Sequence, residues 1–199
     1  MRDLKDIWSI SFSAFTRLWI IALVPVLLFF AVLVVNPRYP YGKRGCVFPC
    51  LYAVLNMYSQ DNNGWFPDSP YGPYAALAKL YPKYSQGQEL QGVAGDYMQV
   101  LFALQTGASL DGITTWHYQP GFRIDDDPRI AIIWEKVPGL YSSGKFARDS
   151  GHSVLFVNAK SAYIPGEKWP QFLKEQELLR NRVLATRART NSISIEENN

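Results

Sequence analysis

Cysteine and histidine are scarce in this chain, with two of each in 199 residues. Two cysteines alone do not make a metal site, and no paired-histidine motif accompanies them. Charge is also sparse and nearly balanced. A net charge of +3, without a long basic run or a recognisable nucleic-acid motif, argues against nucleic acid as a partner. No internal repeat occurs. The composition, 48% hydrophobic and 19% charged, is that of a globular chain and excludes wholesale disorder. The length suits one ordinary domain with an appendage.

From Leu18 to Val35, "LWIIALVPVLLFFAVLVV", eighteen residues pass without a charge. As a helix this run spans about 27 Å, close to a hydrocarbon core of roughly 30 Å. Pro25 would break a soluble helix but is tolerated in a membrane-spanning one. Trp19 at one end and Tyr39 and Tyr41 at the other fit an aromatic belt. "VVNPRYP" offers no small-x-small cleavage site, so residues 18–35 are read as an uncleaved transmembrane helix rather than a signal peptide. Flanking charge does not orient it: Arg2, Lys5 and Arg17 precede it, and Arg38, Lys43 and Arg44 follow. Within residues 1–17, Leu4, Ile7, Trp8, Phe12 and Phe15 fall at helical spacing and predict an amphipathic interfacial segment.

Residues 36–48, with Pro37, Pro40, Gly42 and Gly45, read as a linker. A helix is expected from Pro49, with Leu51, Val54, Leu55 and Tyr58 on one face and a stop at Asn62-Asn63-Gly64. "WFPDSPYGP" is a turn-rich connection, followed by a short helix ending near Tyr81 because Pro82 disfavours helical geometry before it. Asp96 to Gln105 reads as helix or strand. Beyond Ile113, "ITTWHYQPG", "RIAIIWEKV" and "HSVLFVNAKSAYI" are short β-branched and aromatic runs separated by Pro and Gly, the pattern of antiparallel strands. A hairpin is expected at Asn158-Ala159-Lys160. A closing helix presents Phe172, Leu173, Gln176, Leu179 and Val183 on one side. The expectation is an α+β domain over 49–189, with a disordered tail at 190–199.

The segment "CLYAVLNMYSQDNNGWFPD" resembles a pattern of bacterial pilin-like proteins: Cys, a helix, then Tyr-x-x-Asp-Asn-x-Gly-x-Phe-Pro. "YGPYAALAKLYPKY" resembles the short helix that follows in that family, and "GHSVLFVN" its closing hairpin. The chain is thus similar, in patches from residue 46 to 175, to the type II secretion pseudopilins and their pilin-like relatives. It lacks the Gly-Phe-Thr-Leu-x-Glu processing motif, and Pro37, Pro40, Gly42 and Gly45 interrupt what would be a continuous spine helix. The resemblance implies short helices on a small antiparallel sheet, a domain outside the cytoplasm on the inner membrane, and a non-enzymatic structural or interaction role. Other pseudopilins or secretion-system proteins, together with the lipid bilayer, would then be the partners.

Major pseudopilins bind calcium in a loop near the sheet, which makes Asp125, Asp126 and Asp127 the calcium candidates, with Glu135 as a further donor. Adjacent carboxylates cannot all face one ion, and the preferred reading is a solvated acidic turn before Pro128. Cys46 and Cys50 are a disulfide candidate, with inert thiols as the alternative. His117 and His152 accompany no orienting motif, and His152, placed before an apolar strand, is expected to bond turn backbone. A competing reading, a stand-alone glycan- or peptide-binding module, predicts a concave cluster of exposed rings around Trp65, Trp116 and Trp134. Core packing by Tyr58, Phe66, Tyr71, Tyr74 and Tyr81 is preferred.

Overall fold

A computed structural model describes residues 23–28 and 39–196, with side chains as far as residue 189. The chain divides into two compact units, Met1–Pro40 and Tyr41–Asn199. In the first, residues 23–28 are helical and exposed. The rest of the expected transmembrane helix, and all of the amphipathic segment 1–17, lie outside the described residues. Among the described residues no helix is long and apolar enough to cross a membrane.

The second unit is α+β. Helix α1, Val47–Asp61, buries Phe48, Leu51, Val54 and Leu55 at spacings of three and four residues. It stops where Asn63 and Gly64 take positive φ, 53° and 83°. Residues 41–48 of the expected linker belong to this unit, and the Arg44 N–H donates to the Ser143 carbonyl at 2.8 Å. The aromatic connection carries the chain across the domain. Phe66 is buried with its N–H on the Phe122 carbonyl at 3.0 Å, and the Tyr118 hydroxyl donates to the Pro67 carbonyl at 2.6 Å. Tyr71, by contrast, is 89% exposed and packs nothing. Helix α2, Pro73–Ala78, places Pro73 where a missing N–H costs nothing and ends before the expected Tyr81. Helix α3, Tyr97–Thr106, resolves the ambiguous segment. The Asp96 carboxylate accepts the N–H groups of Met98 at 2.8 Å and Gln99 at 3.4 Å, and Gly107 ends the helix at φ 71°.

Four strands follow as an antiparallel meander: β1 Trp116–Tyr118, β2 Ala131–Glu135, β3 His152–Phe156 and β4 Ser161–Ile164. All of β2 is buried, because both faces of the sheet are covered. On one face the main core gathers Phe48 and Leu55 from α1, Leu77 from α2, Val100 from α3, and Trp116, Ile133 and Leu155 from the sheet. On the other, Ala131, Trp134 and Val154 lie under Trp169 and Phe172 of helix α4, Trp169–Glu196. The expected disordered tail is therefore helical as far as Glu196, and residues 197–199 lie outside the described residues.

Gln176 holds α4 to the start of β2. Its side-chain oxygen accepts the Ala131 N–H at 2.7 Å and its amide nitrogen donates to the Arg129 carbonyl at 3.0 Å. Arg129 precedes β2, and Ala131 opens the strand beside a register irregularity between Ala131 and Ile133. Gln176→Leu leaves both without a partner, and the expected cost is about 2–4 kcal/mol in a denaturant titration. A loss below about 1 kcal/mol would contradict this account of the α4–sheet contact.

Candidate functional site

The hairpin β3–β4 and the middle of α4 leave a groove of about 710 Å³ between them. Its floor is Phe156, Ala162 and Phe172, with Leu178 and Leu179 on the helix side. Lys160 and Arg182 stand on its rim with Glu175. Leu178 is 67% exposed, an apolar side chain turned to solvent between the charged residues Glu177 and Arg180 of the helix.

The groove borders a sheet edge. The Phe156 N–H donates to the Lys160 carbonyl at 2.9 Å, so residues 156 and 160 form a hydrogen-bonded pair. Two residues along the ladder, Val154 and Ala162 form the next such pair. Ser161 and Tyr163 therefore direct their N–H and C=O groups away from β3, outward from the edge. The turn that sets this register uses Ala159 at φ 67°, a conformation that usually favours glycine or asparagine.

The remaining predicted residues fall elsewhere. Trp116 is fully buried in the main core, stacked on Phe48 at 5.1 Å, with its indole N–H on the Glu89 carbonyl at 2.9 Å. Trp134 lies on the opposite face, between His117 at 4.1 Å and Trp169 at 6.0 Å. Trp65 is in the aromatic connection, with the guanidinium groups of Arg123 and Arg187 at 5.5 and 4.6 Å from its ring. The three rings do not form the expected concave cluster. A polar hollow of about 420 Å³ does open beside Trp65, lined by Asp61, Asn62, Asn63 and Asp68.

Asp125, Asp126 and Asp127 do not converge on one point. Asp125 pairs with Arg123 at 3.0 Å, Asp127 with Arg129 at 2.7 Å, and Asp126 with Arg187 while accepting the Arg123 N–H at 2.6 Å. The Arg129 hydrogen bonds draw the Asp127 carboxyl down to about 2. Among the described residues no group of three carboxylate, histidine or cysteine side chains is placed to hold a metal ion. Glu135, the proposed further donor, is buried and accepts the N–H of Val93 at 2.8 Å and the Thr115 hydroxyl at 2.9 Å.

Both histidines lie on the α4 side of the sheet, each against a tryptophan. His152 stacks on Trp169 at 4.2 Å and its Nδ1 meets the Glu135 carbonyl at 2.7 Å, a bond to the backbone of β2 rather than to that of a turn. Burial, and then the charges of Arg180 and Lys136, push His117 down to about 4 and keep its ring neutral. Cys46 and Cys50 are free thiols beside a separate cavity of about 190 Å³.

Sequence reasoning found the ingredients of the groove without the groove. Helical spacing puts Phe172 and Leu179 on the inner face of α4, and the neighbouring Leu178 is the visible signal that this helix carries more apolar surface than the sheet covers. No protein-family model matches the chain, and neither curated proteins nor solved structures provide a match.

Proposed function

We propose that this chain is a membrane-anchored, pilin-like component that acts by protein interaction rather than catalysis, with its α+β domain outside the cytoplasm. The observation that carries the interaction role is the apolar groove beside the unpaired edge of β4. Its occupant is an extended segment of a partner protein, rich in apolar and acidic side chains. Such a segment can take up the outward main-chain groups of Ser161 and Tyr163 as an added strand. Its apolar side chains would lie over Phe156 and Phe172, and its carboxylates would meet Lys160 and Arg182. Anchoring rests on the uncharged run Leu18–Val35. The link to secretion assemblies rests on the resemblance of the "YSQDNNGWFP" and "GHSVLFVN" segments.

Photo-crosslinkers introduced at Ser161 and Leu178 of the full-length protein in native membranes test the groove. They are expected to capture a partner that the same reagent at exposed Tyr71 does not. The double variant Lys160→Glu, Arg182→Glu is expected to lower that yield roughly tenfold, as reversal of two rim charges would. Equal capture from all three positions, or no effect of charge reversal, would overturn the assignment.

A second reading, a stand-alone glycan-binding module, is favoured by the hollow beside Trp65 with its carboxylates and amides. It ranks lower because Arg123 and Arg187 are already on the Trp65 ring and Asp61 is engaged by Lys83 at 2.7 Å and Tyr84 at 2.8 Å.

A further inference from the structure

We propose that Cys46 and Cys50 are a modification site at which an intramolecular disulfide forms and closes the first turn of α1. The two are the chain's entire cysteine content. Cys46 is the N-cap residue of α1, outside helical geometry at φ −99°, ψ 49°, while Cys50 lies in the helix. The Cys50 N–H donates to the Cys46 carbonyl at 3.1 Å, which sets the two residues one helical turn apart. That separation, about 6 Å between α-carbons, lies inside the range a disulfide spans. Both cysteines line the same cavity with Arg44, Glu89 and Gln91.

The local structure also leaves a role for such a bond. Cys46 supplies no side-chain cap to α1, and the first turn carries no acidic residue. The start of the helix therefore lacks the two side-chain devices that usually hold such an end. A disulfide from the cap position to the first turn replaces them covalently.

The chemistry divides between the two thiols. Cys46 is exposed and Cys50 half-buried. The Cys46 thiolate attacks the disulfide of an oxidant, either a small disulfide or that of a thiol oxidase, and displaces one thiolate. Cys50, deprotonated by solvent, then attacks the Cys46 sulfur of the mixed disulfide and displaces the second thiolate. Two protein thiols are oxidised and one external disulfide is reduced to two thiols, which take up the two protons. Exposure makes Cys46 the first to react and Cys50 the resolving thiol, and the neighbouring Cys46, with burial after it, pushes the Cys50 thiol up to about 11.

The test uses the full-length protein, purified reduced and then equilibrated with oxidised glutathione. It is unfolded in N-ethylmaleimide and weighed intact. The expected product carries no maleimide, has lost the mass of two hydrogens and runs as a monomer on a non-reducing gel. Cys50→Ser is expected to stop at a glutathione adduct on Cys46. Recovery of two maleimides, a persistent glutathione adduct on the unsubstituted chain, or a disulfide-linked dimer would each overturn the proposal. Thermal unfolding supplies a second readout, with a higher midpoint expected for the oxidised form than for the reduced one. Equal midpoints would overturn the capping role.

Discussion

Trp116→Ala is expected to destabilise the domain by about 4 kcal/mol, as removal of a fully buried tryptophan does when the surroundings only partly collapse. The loss has two parts. The cavity beside Phe48 forfeits the stacked contact at 5.1 Å, and the Glu89 carbonyl loses the indole N–H that reaches it at 2.9 Å. Trp116→Phe separates them, because it retains most of the apolar area and removes only the hydrogen bond, for a loss of about 1–2 kcal/mol. Trp65→Ala, on a half-buried ring in the aromatic connection, is expected to cost much less than Trp116→Ala. Urea titration of the three variants checks the order. A tolerated Trp116→Ala would mean that this ring does not hold α1 to β1.

The second large effect is on the pH dependence of stability, and it centres on Glu135. Burial is the main cause that raises its carboxyl from 4.5 to about 7, against the bonds from Val93, Thr115 and Val137 and the charge of Lys136, which all lower it. The folded protein therefore holds a proton on Glu135 through a range in which the unfolded chain has released it. Stability from this group is complete below about 4.5 and is lost as pH rises through about 7. At 1.36 kcal/mol per pH unit the loss is about 3 kcal/mol.

His117 works in the other direction. With its folded value held at about 4, the unfolded chain binds the extra proton, so stability is lost as pH falls from 6.5 through about 4. Its ring is only partly buried, and solvent screening makes this contribution the smaller one. Glu135→Gln is expected to remove the fall in stability between pH 5 and roughly 7.5 whatever its absolute cost, leaving the rise due to His117. His117→Phe is expected to steepen the fall. Denaturant titrations across that range check both. Parallel curves for the wild-type protein and Glu135→Gln would contradict the assignment.

Both results turn on residues that the sequence names but does not place. Trp116 and Trp134 are both aromatic positions in short strands, and which one enters the main core depends on which face each strand residue takes. Alternation would have told them apart, but β2 is buried at five consecutive residues and shows none. Helix α3 was ambiguous by periodicity alone, and the Asp96 cap with Gly107 beyond decides it locally. The acidic turn was half legible: Arg123 and Arg129 each stand two residues from the carboxylate they pair with, while Arg187 reaches Asp126 from 61 residues away.

Helical spacing puts Gln176 on the inner side of α4, yet nothing local announces that main-chain groups at and just before the start of β2 need its amide. The groove is the least legible feature. It is assembled from residues 128–129, 156–162 and 172–182, segments that meet only when α4 crosses the sheet.

The central claim is that this domain serves an assembly on a membrane. Chemical crosslinking in intact native membranes, with mass-spectrometric identification of what is joined to the chain, tests it most directly. The account predicts recovery of pilin-like or secretion-platform proteins, with linked peptides that include Lys160 or the middle of α4. A membrane-bound, well-expressed protein that yields none of them would contradict it.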